Sequence, residues 1–152
     1  MTDITDKKTR SRMMSGIRSS NTKPEILTRK ALHKLGYRYR TGTKIQKIRP
    51  DIVLRCRKVA IFVHGCYWHQ HVGCKLAYSD REYSLKWKKK FQDNRLRDQR
   101  VLKQLNEAGW RVAVVWECAT RDSEVFVKVV NKLHRWIQSD ESQCFESDYK
   151  KP

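Results

Sequence analysis

The triplet Arg49-Pro50-Asp51 opens one apolar run, His64 closes the next, and His69 follows five residues later. If those runs are neighbouring strands, Asp51 and His64 come together. A carboxylate with nearby imidazoles is what phosphodiester hydrolysis needs. The carboxylate holds a magnesium ion against the phosphate oxygens, and an imidazole exchanges protons near neutral pH. Glu25 offers a second carboxylate from the first expected helix; it also stands three residues after Thr22, where it completes a capping box, and the two roles can coexist. Each residue has a plainer reading as well. Asp51 can be a polar loop-to-strand residue, His64 a core histidine, and Asp98, inside the basic run NRLRDQR, a surface ion-pair partner. The second imidazole so close to the first weighs against the plain reading of His64.

A separate cluster has the composition of a metal site. Cys66, His71 and Cys74 fall within nine positions, and Cys118 ends a later apolar run that can return to them. Three thiolates and one imidazole make a closed, tetrahedral zinc set whose role is support, because it leaves no coordination position for substrate. Such a site would pin an irregular loop that has little apolar surface of its own. His64 and His69 are rivals for the imidazole position, and a buried strand-end thiol is the plain reading of Cys118.

Tyr67 and Trp68 lie inside that loop, and Trp87 stands among Lys86, Lys88, Lys89 and Lys90. Aromatics interleaved with positive charge suit base stacking combined with phosphate contact, and a mispaired step is cheaper to open than a matched one. Trp110, Trp116 and Trp136 read as core. Lys and Arg number 34 against 16 Asp and Glu, a formal charge of +18, so nucleic acid is the leading partner, although charge alone does not separate a DNA enzyme from an RNA binder. No apolar stretch is long enough to span a membrane, and MTDITDKKTR lacks the apolar centre of a signal peptide, so a cytoplasmic protein is expected. In that reducing compartment five cysteines suggest ligands or buried thiols rather than disulfides.

The elements that must position these groups follow from periodicity. Residues 1–20 form a basic arm or short helix with Met13, Met14 and Ile17 as its apolar cluster. Thr22 caps a helix with Pro24 in its first turn, a stripe of Leu27, Ala31, Leu32 and Leu35, and a stop at Gly36. YRYR, DIVLR and KVAIFVH read as strands, the last two as a hairpin through Arg55–Arg57; a long helix runs from about Tyr83 to Ala108; WRVAVVWE is a buried strand; and a final amphipathic helix carries Val125, Val129, Leu133 and Trp136. These make one three-layer α/β domain over 21–138, followed by a polar tail over 139–152.

At this point the residues resemble a known family. RPD at 49–51, IFVHGCYWHQH at 61–71 and the Cys after it, NRLRD at 94–98, GWRVAVVWEC at 109–118 and the leading DKKTRSRMMSGIRSSNTKPE look like the very short patch repair endonucleases. The resemblance implies a restriction-endonuclease-like fold with a central mixed β-sheet, a structural zinc, and magnesium-dependent nicking 5′ to the thymine of a T:G mispair left by deamination of 5-methylcytosine. It implies that Asp51 and the main-chain carbonyl of Val63 hold magnesium and that Glu25 and His64 hold waters around it. His69 would activate the attacking water, with Asp98 as its partner. Cys66, His71, Cys74 and Cys118 fall on the zinc positions. Tyr67, Trp68 and Trp87 would insert beside the mismatch from the major groove, and Met14 and Ile17 from the minor groove. A monomer acting on double-stranded DNA, linked in function to a cytosine-5 methyltransferase and to repair proteins, is the implied setting. A restriction-type or structure-specific nuclease of the same fold and a non-enzymatic zinc-dependent DNA-binding module are the competing readings.

Overall fold

The computed structural model describes residues 21–77, 85–140 and 142–147. The expected arm over 1–20, with Met14 and Ile17, lies outside them. Helix α1 spans Lys23–Lys34 and starts where the sequence says: Thr22 is extended, and its side chain accepts the Glu25 N–H. It ends in a Schellman turn, with Gly36 at a φ of +90° and the Tyr37 N–H returning to the Leu32 carbonyl. The buried face of α1 is not the expected leucine stripe. Glu25, Thr28 and Leu32 are buried and Leu35 is exposed, so the helix is rotated to turn a carboxylate inward.

Strands β1 (Ile52–Leu54) and β2 (Val59–His64) form the expected antiparallel hairpin through a 3-10 turn at Arg55–Arg57. Helix α2 (Leu85–Glu107) leads into β3 (Arg111–Trp116), which lies parallel to β2 with His64 opposite Trp116. A single helical turn, α3 (Glu117–Thr120), and helix α4 (Ser123–Gln138) follow, the latter capped by Asp122. YRYR contributes only one bridge, Arg40 to Val53, rather than a strand, since its alternating arginines leave one side in water.

The region expected to be a polar tail instead supplies a fourth strand, β4 (Cys144–Glu146), parallel to β3. Arg111 secures the approach to it. Its guanidinium donates to the main-chain carbonyls of Trp136, Ile137 and Ser142 and lies over the Trp136 ring. Sheet order is β1-β2-β3-β4, mixed in direction.

Both faces of the sheet are covered, which explains the unbroken apolar runs of β1 to β3. Ile52, Leu54, Val59, Ile61, Ala113 and Val115 pack against Leu32 of α1 and Leu133, Trp136 and Ile137 of α4. Val53, Ala60 and Val112 pack against Leu105, Leu102 and Val101 of α2 on the other side. Each fully buried Val, Leu or Ile contributes about 1.5–3 kcal/mol, so this three-layer core holds the rest of the chain to the sheet edge where β2 and β3 end. Among the described residues no helix is long and apolar enough to cross a membrane.

Candidate active site and metal centre

One cavity of about 1390 Å³ gathers the groups singled out from the sequence. Glu25, Asp51, Val63, His64, Tyr67, Trp68, His69, Trp87 and Asp98 all line it. The hairpin explains the first encounter. Asp51 immediately precedes β1, and its Oδ2 accepts the Val63 N–H at 2.7 Å across the pair, next to His64. Glu25 reaches the same cavity from α1 with one oxygen already engaged: Oε2 accepts the Asn21 N–H at 2.9 Å and an Arg29 guanidinium N–H at 3.0 Å. Each carboxylate therefore keeps its second oxygen clear of these bonds. Burial raises the Asp51 pKa to about 6, and the Glu25 charge pushes the same way; the bond from Val63, Arg29 and His69 oppose them. Two carboxylates lining a shared cavity, one of them reluctant to ionise, are an electrostatic deficit that a divalent cation would relieve.

His64 is buried at the end of β2, and its ring lies flat on that of His69, 3.9 Å between centroids and 4° between planes. Burial, and then the charge of His69, lower the His64 pKa to about 3, and among the described residues its Nδ1 has no hydrogen-bond partner. The His69 Nδ1 lies 2.6 Å from Asp98 Oδ2. This pairing fixes the imidazole from behind and leaves Nε2 as the nitrogen away from the bond.

Asp98 reaches His69 because of its helical position. Trp87, Phe91, Asn94 and Asp98 follow one another at three- and four-residue spacing, so they share one face of α2 with Leu102 and Leu105. That face is apolar except at Asn94 and Asp98. Asn94 donates its side-chain N–H to the Trp68 carbonyl at 3.1 Å, and Asp98 takes His69, so both polar interruptions hold the loop after β2. Asp98, read from the sequence as a surface ion-pair partner, is instead hydrogen-bonded to His69 in the cavity wall. A polar residue interrupting an apolar helical stripe was the signal that would have found Asn94. Arg29, Asn21 and Glu117 were also missed, and only the last has a sequence cue, as the acidic neighbour of Cys118.

The aromatic residues form one group. Tyr67 packs edge-on to Trp68 and Phe91, Trp68 lies 6.0 Å from Trp87, and the Lys90 ammonium stands over both indoles at 5.5 and 5.3 Å.

Behind this wall the loop residues Cys66, His71 and Cys74 meet Cys118, their ligand atoms all within 4.8 Å of one another. His71 Nδ1 is 3.7 Å from Cys66 Sγ and 3.5 Å from Cys118 Sγ. The Cys118 N–H donates to Cys66 Sγ, and Glu117 accepts the Cys66 N–H. His71 is thus the imidazole of the cluster, and its rivals His64 and His69 face the cavity. Hydrogen bonding to Cys118 and burial push the Cys66 thiol far above the ordinary range, as expected of crowded thiols whose natural counter-charge is a cation. Cys66, His71, Cys74 and Cys118 could hold a metal ion; Cys56 and Cys144 are exposed and take no part.

A family model described as DNA mismatch endonuclease Vsr matches residues 2–75. A type II nicking enzyme, V.XorIIP of Xanthomonas oryzae pv. oryzae, is 43% identical over 80% of this chain and 89% of its own. V.NmeAIP of Neisseria meningitidis, also a type II nicking enzyme, is 38% identical over 91% of this chain and 98% of its own. The DNA mismatch endonuclease Vsr of Escherichia coli is 36% identical over 90% and 88%. Among solved structures, the catalytic domain of the homing endonuclease I-Bth0305I superposes with a TM-score of 0.54 over 80% of this chain and all of that domain; at 20% identity it speaks for the fold, an endonuclease-type mixed sheet with helices.

Proposed function

This chain belongs to the DNA mismatch endonuclease Vsr family, and from that premise we propose that it nicks one DNA strand 5′ to the thymine of a T:G mispair, with magnesium at Asp51 and zinc in the Cys3His cluster. The observation that carries the reading is the meeting, in one cavity, of a hydrolytic set and a group of aromatics. A binding module has no use for the first, and a nuclease indifferent to mismatches has little use for the second.

Magnesium, when bound by Asp51 and the Val63 carbonyl with Glu25 nearby, supplies Lewis-acid stabilisation of charge on the phosphate oxygens. The residues themselves do the proton work. His69 Nε2 takes the proton of the water that attacks phosphorus, and Asp98 at 2.6 Å holds the opposite nitrogen and stabilises the resulting imidazolium. The water oxygen bonds to phosphorus as the bond from phosphorus to the departing sugar oxygen breaks; that oxygen takes a proton from solvent to become a hydroxyl, and His69 returns its proton to solvent. His64, stacked on His69, limits its tilt and adds a polar nitrogen to the cavity wall. Arg29 and Asn21 keep the Glu25 carboxylate aimed. One such set in one chain cuts one strand per encounter, in keeping with the relatives named as nicking enzymes.

Zinc fits the cluster by size. Bonds of about 2.3 Å to sulfur and 2.0–2.1 Å to nitrogen at tetrahedral angles put sulfur and nitrogen about 3.6 Å apart, against 3.7 and 3.5 Å here.

Tyr67, Trp68 and Trp87 would enter from the major groove, where a mispaired step yields most easily. Met14 and Ile17 of the N-terminal arm would act from the minor groove. We further propose that the enzyme works as a monomer in the cytoplasm, alongside a cytosine-5 methyltransferase and repair proteins.

End-labelled duplexes carrying each mispair in varied contexts, incubated with the protein and magnesium, test the proposal. A single cut beside thymine in T:G duplexes only, lost in Asp51→Ala with binding retained, is expected. Equal cutting of matched duplexes would overturn mismatch recognition, and cutting of both strands would overturn nicking.

A further inference from the structure

Trp116 joins the two centres. It ends β3 opposite His64, and its indole contacts both the stacked His64–His69 pair and His71 of the cysteine cluster. On one side the His71 ring lies flat against it, 4.1 Å between centroids and 6° between planes. The same indole meets His64 edge-on at 5.2 Å and His69 at 6.5 Å, both inclined by 71°. The residue is almost wholly buried, and its two polar hydrogens are taken by the edge strand. The indole Nε1–H donates to Glu146 Oε1 at 2.7 Å, and the main-chain N–H donates to Ser147 Oγ at 2.9 Å. Ser147 is buried and returns its own N–H to the Val114 carbonyl.

A buried indole N–H needs an acceptor in any case; here the acceptor is the Glu146 carboxyl oxygen on β4, so the bond that satisfies the ring also fixes its rotation. That bond sets the rotation of the indole about its side-chain torsions, which a flat contact on one ring and an edge contact on another both require. The strand that supplies the carboxylate is short, with Cys144 and Glu146 exposed and Phe145 packed against the core beside Trp136.

We propose that Trp116 is a positioning residue for nicking, held in register by Glu146, which transmits the orientation of the metal-bound loop to His64 and so to the His69–Asp98 pair. The segment 144–147 is then part of the catalytic support, and not a tail. A misaimed base loses rate more than binding, because the substrate contacts made by the aromatics and lysines are untouched.

Glu146→Ala, Glu146→Gln and Trp116→Phe, prepared full length and metal-loaded, test this on whichever duplex the wild-type protein nicks. For Glu146→Ala the expected result is a fall in kcat of about tenfold, with KM, metal content and melting temperature within error of wild type. Glu146→Gln, which keeps an acceptor oxygen, should recover most of the rate. Trp116→Phe, which keeps a ring but has no N–H, should match Glu146→Ala and be insensitive to a further Glu146→Ala change. Wild-type kcat in Glu146→Ala would overturn the proposal. So would a loss of rate that tracks a loss of melting temperature or metal, since that marks a merely structural strand. Because rates are compared on a duplex the wild type already cuts, an error about the T:G target does not affect the outcome.

Discussion

Replacing Asp51 by Asn should stabilise the magnesium-free protein, with the Cys66–His71–Cys74–Cys118 cluster metal-loaded, while removing nearly all of its nicking activity. Burial raises the Asp51 pKa from 3.8 to about 6. Between those values the folded protein holds a proton that the unfolded chain releases, so stability declines as pH rises through that window, and the whole cost is present above it. At about 1.4 kcal/mol per pH unit, the ionised carboxylate costs about 3 kcal/mol at pH 7. Asn keeps an oxygen to accept the Val63 N–H and carries no charge, so most of that cost disappears. For a chain of this size, 3 kcal/mol corresponds to a rise in Tm of about 6–12 °C. Calorimetry of both proteins at pH 7 and pH 4 is the assay. The gain should appear at pH 7 and shrink to near zero at pH 4, where the wild-type carboxyl is itself largely protonated. Magnesium should raise the Tm of the wild type at pH 7 and leave Asp51→Asn unmoved, whose nicking should fall by about a thousandfold, some 4 kcal/mol of transition-state stabilisation. A variant no more stable than wild type at pH 7, or equally more stable at both pH values, would refute the account of the buried carboxylate.

Three more outcomes are expected. His69→Ala should lower kcat by about 10²–10⁴-fold, and Asp98→Asn less; the double variant should be no worse than His69→Ala in single-turnover nicking, because Asp98 acts through the imidazole. Cys118→Ala, like chelation of the wild type, should release the metal and expose the loop at 65–77 to protease, with loss of nicking, whereas Cys56→Ala should do neither. Trp68→Ala should cut the preference for mismatched over matched duplex by about 5–150-fold in competition binding, the equivalent of one stacking contact of about 1–3 kcal/mol, while leaving the metal in place.

What the chain states by itself are features carried by local chemistry: the capped start of α1, the hairpin through Arg55–Arg57, the unbroken apolar strands, and four metal-type ligands of which three sit within nine positions. Each depends on neighbours a few residues apart or on a donor set rare enough to identify itself. The family resemblance likewise rests on contiguous words such as HGCYWH and WEC. Other features have no local mark. Glu25 is buried because α1 packs with that face inward, although its leucines alone suggest another face. Asp98 looks like one more charge in a basic helix until packing of α2 turns it toward His69. The strand at 144–146 has three unremarkable residues and exists because Arg111 and the free edge of β3 receive it. Which histidine belongs to which centre is settled by a turn that brings His71 back over Cys66 while His69 stacks on His64. Periodicity and ligand chemistry are written in the order of residues, whereas the choice among equally plausible faces and partners belongs to the whole core, since only its packing determines which side chains lose contact with water together.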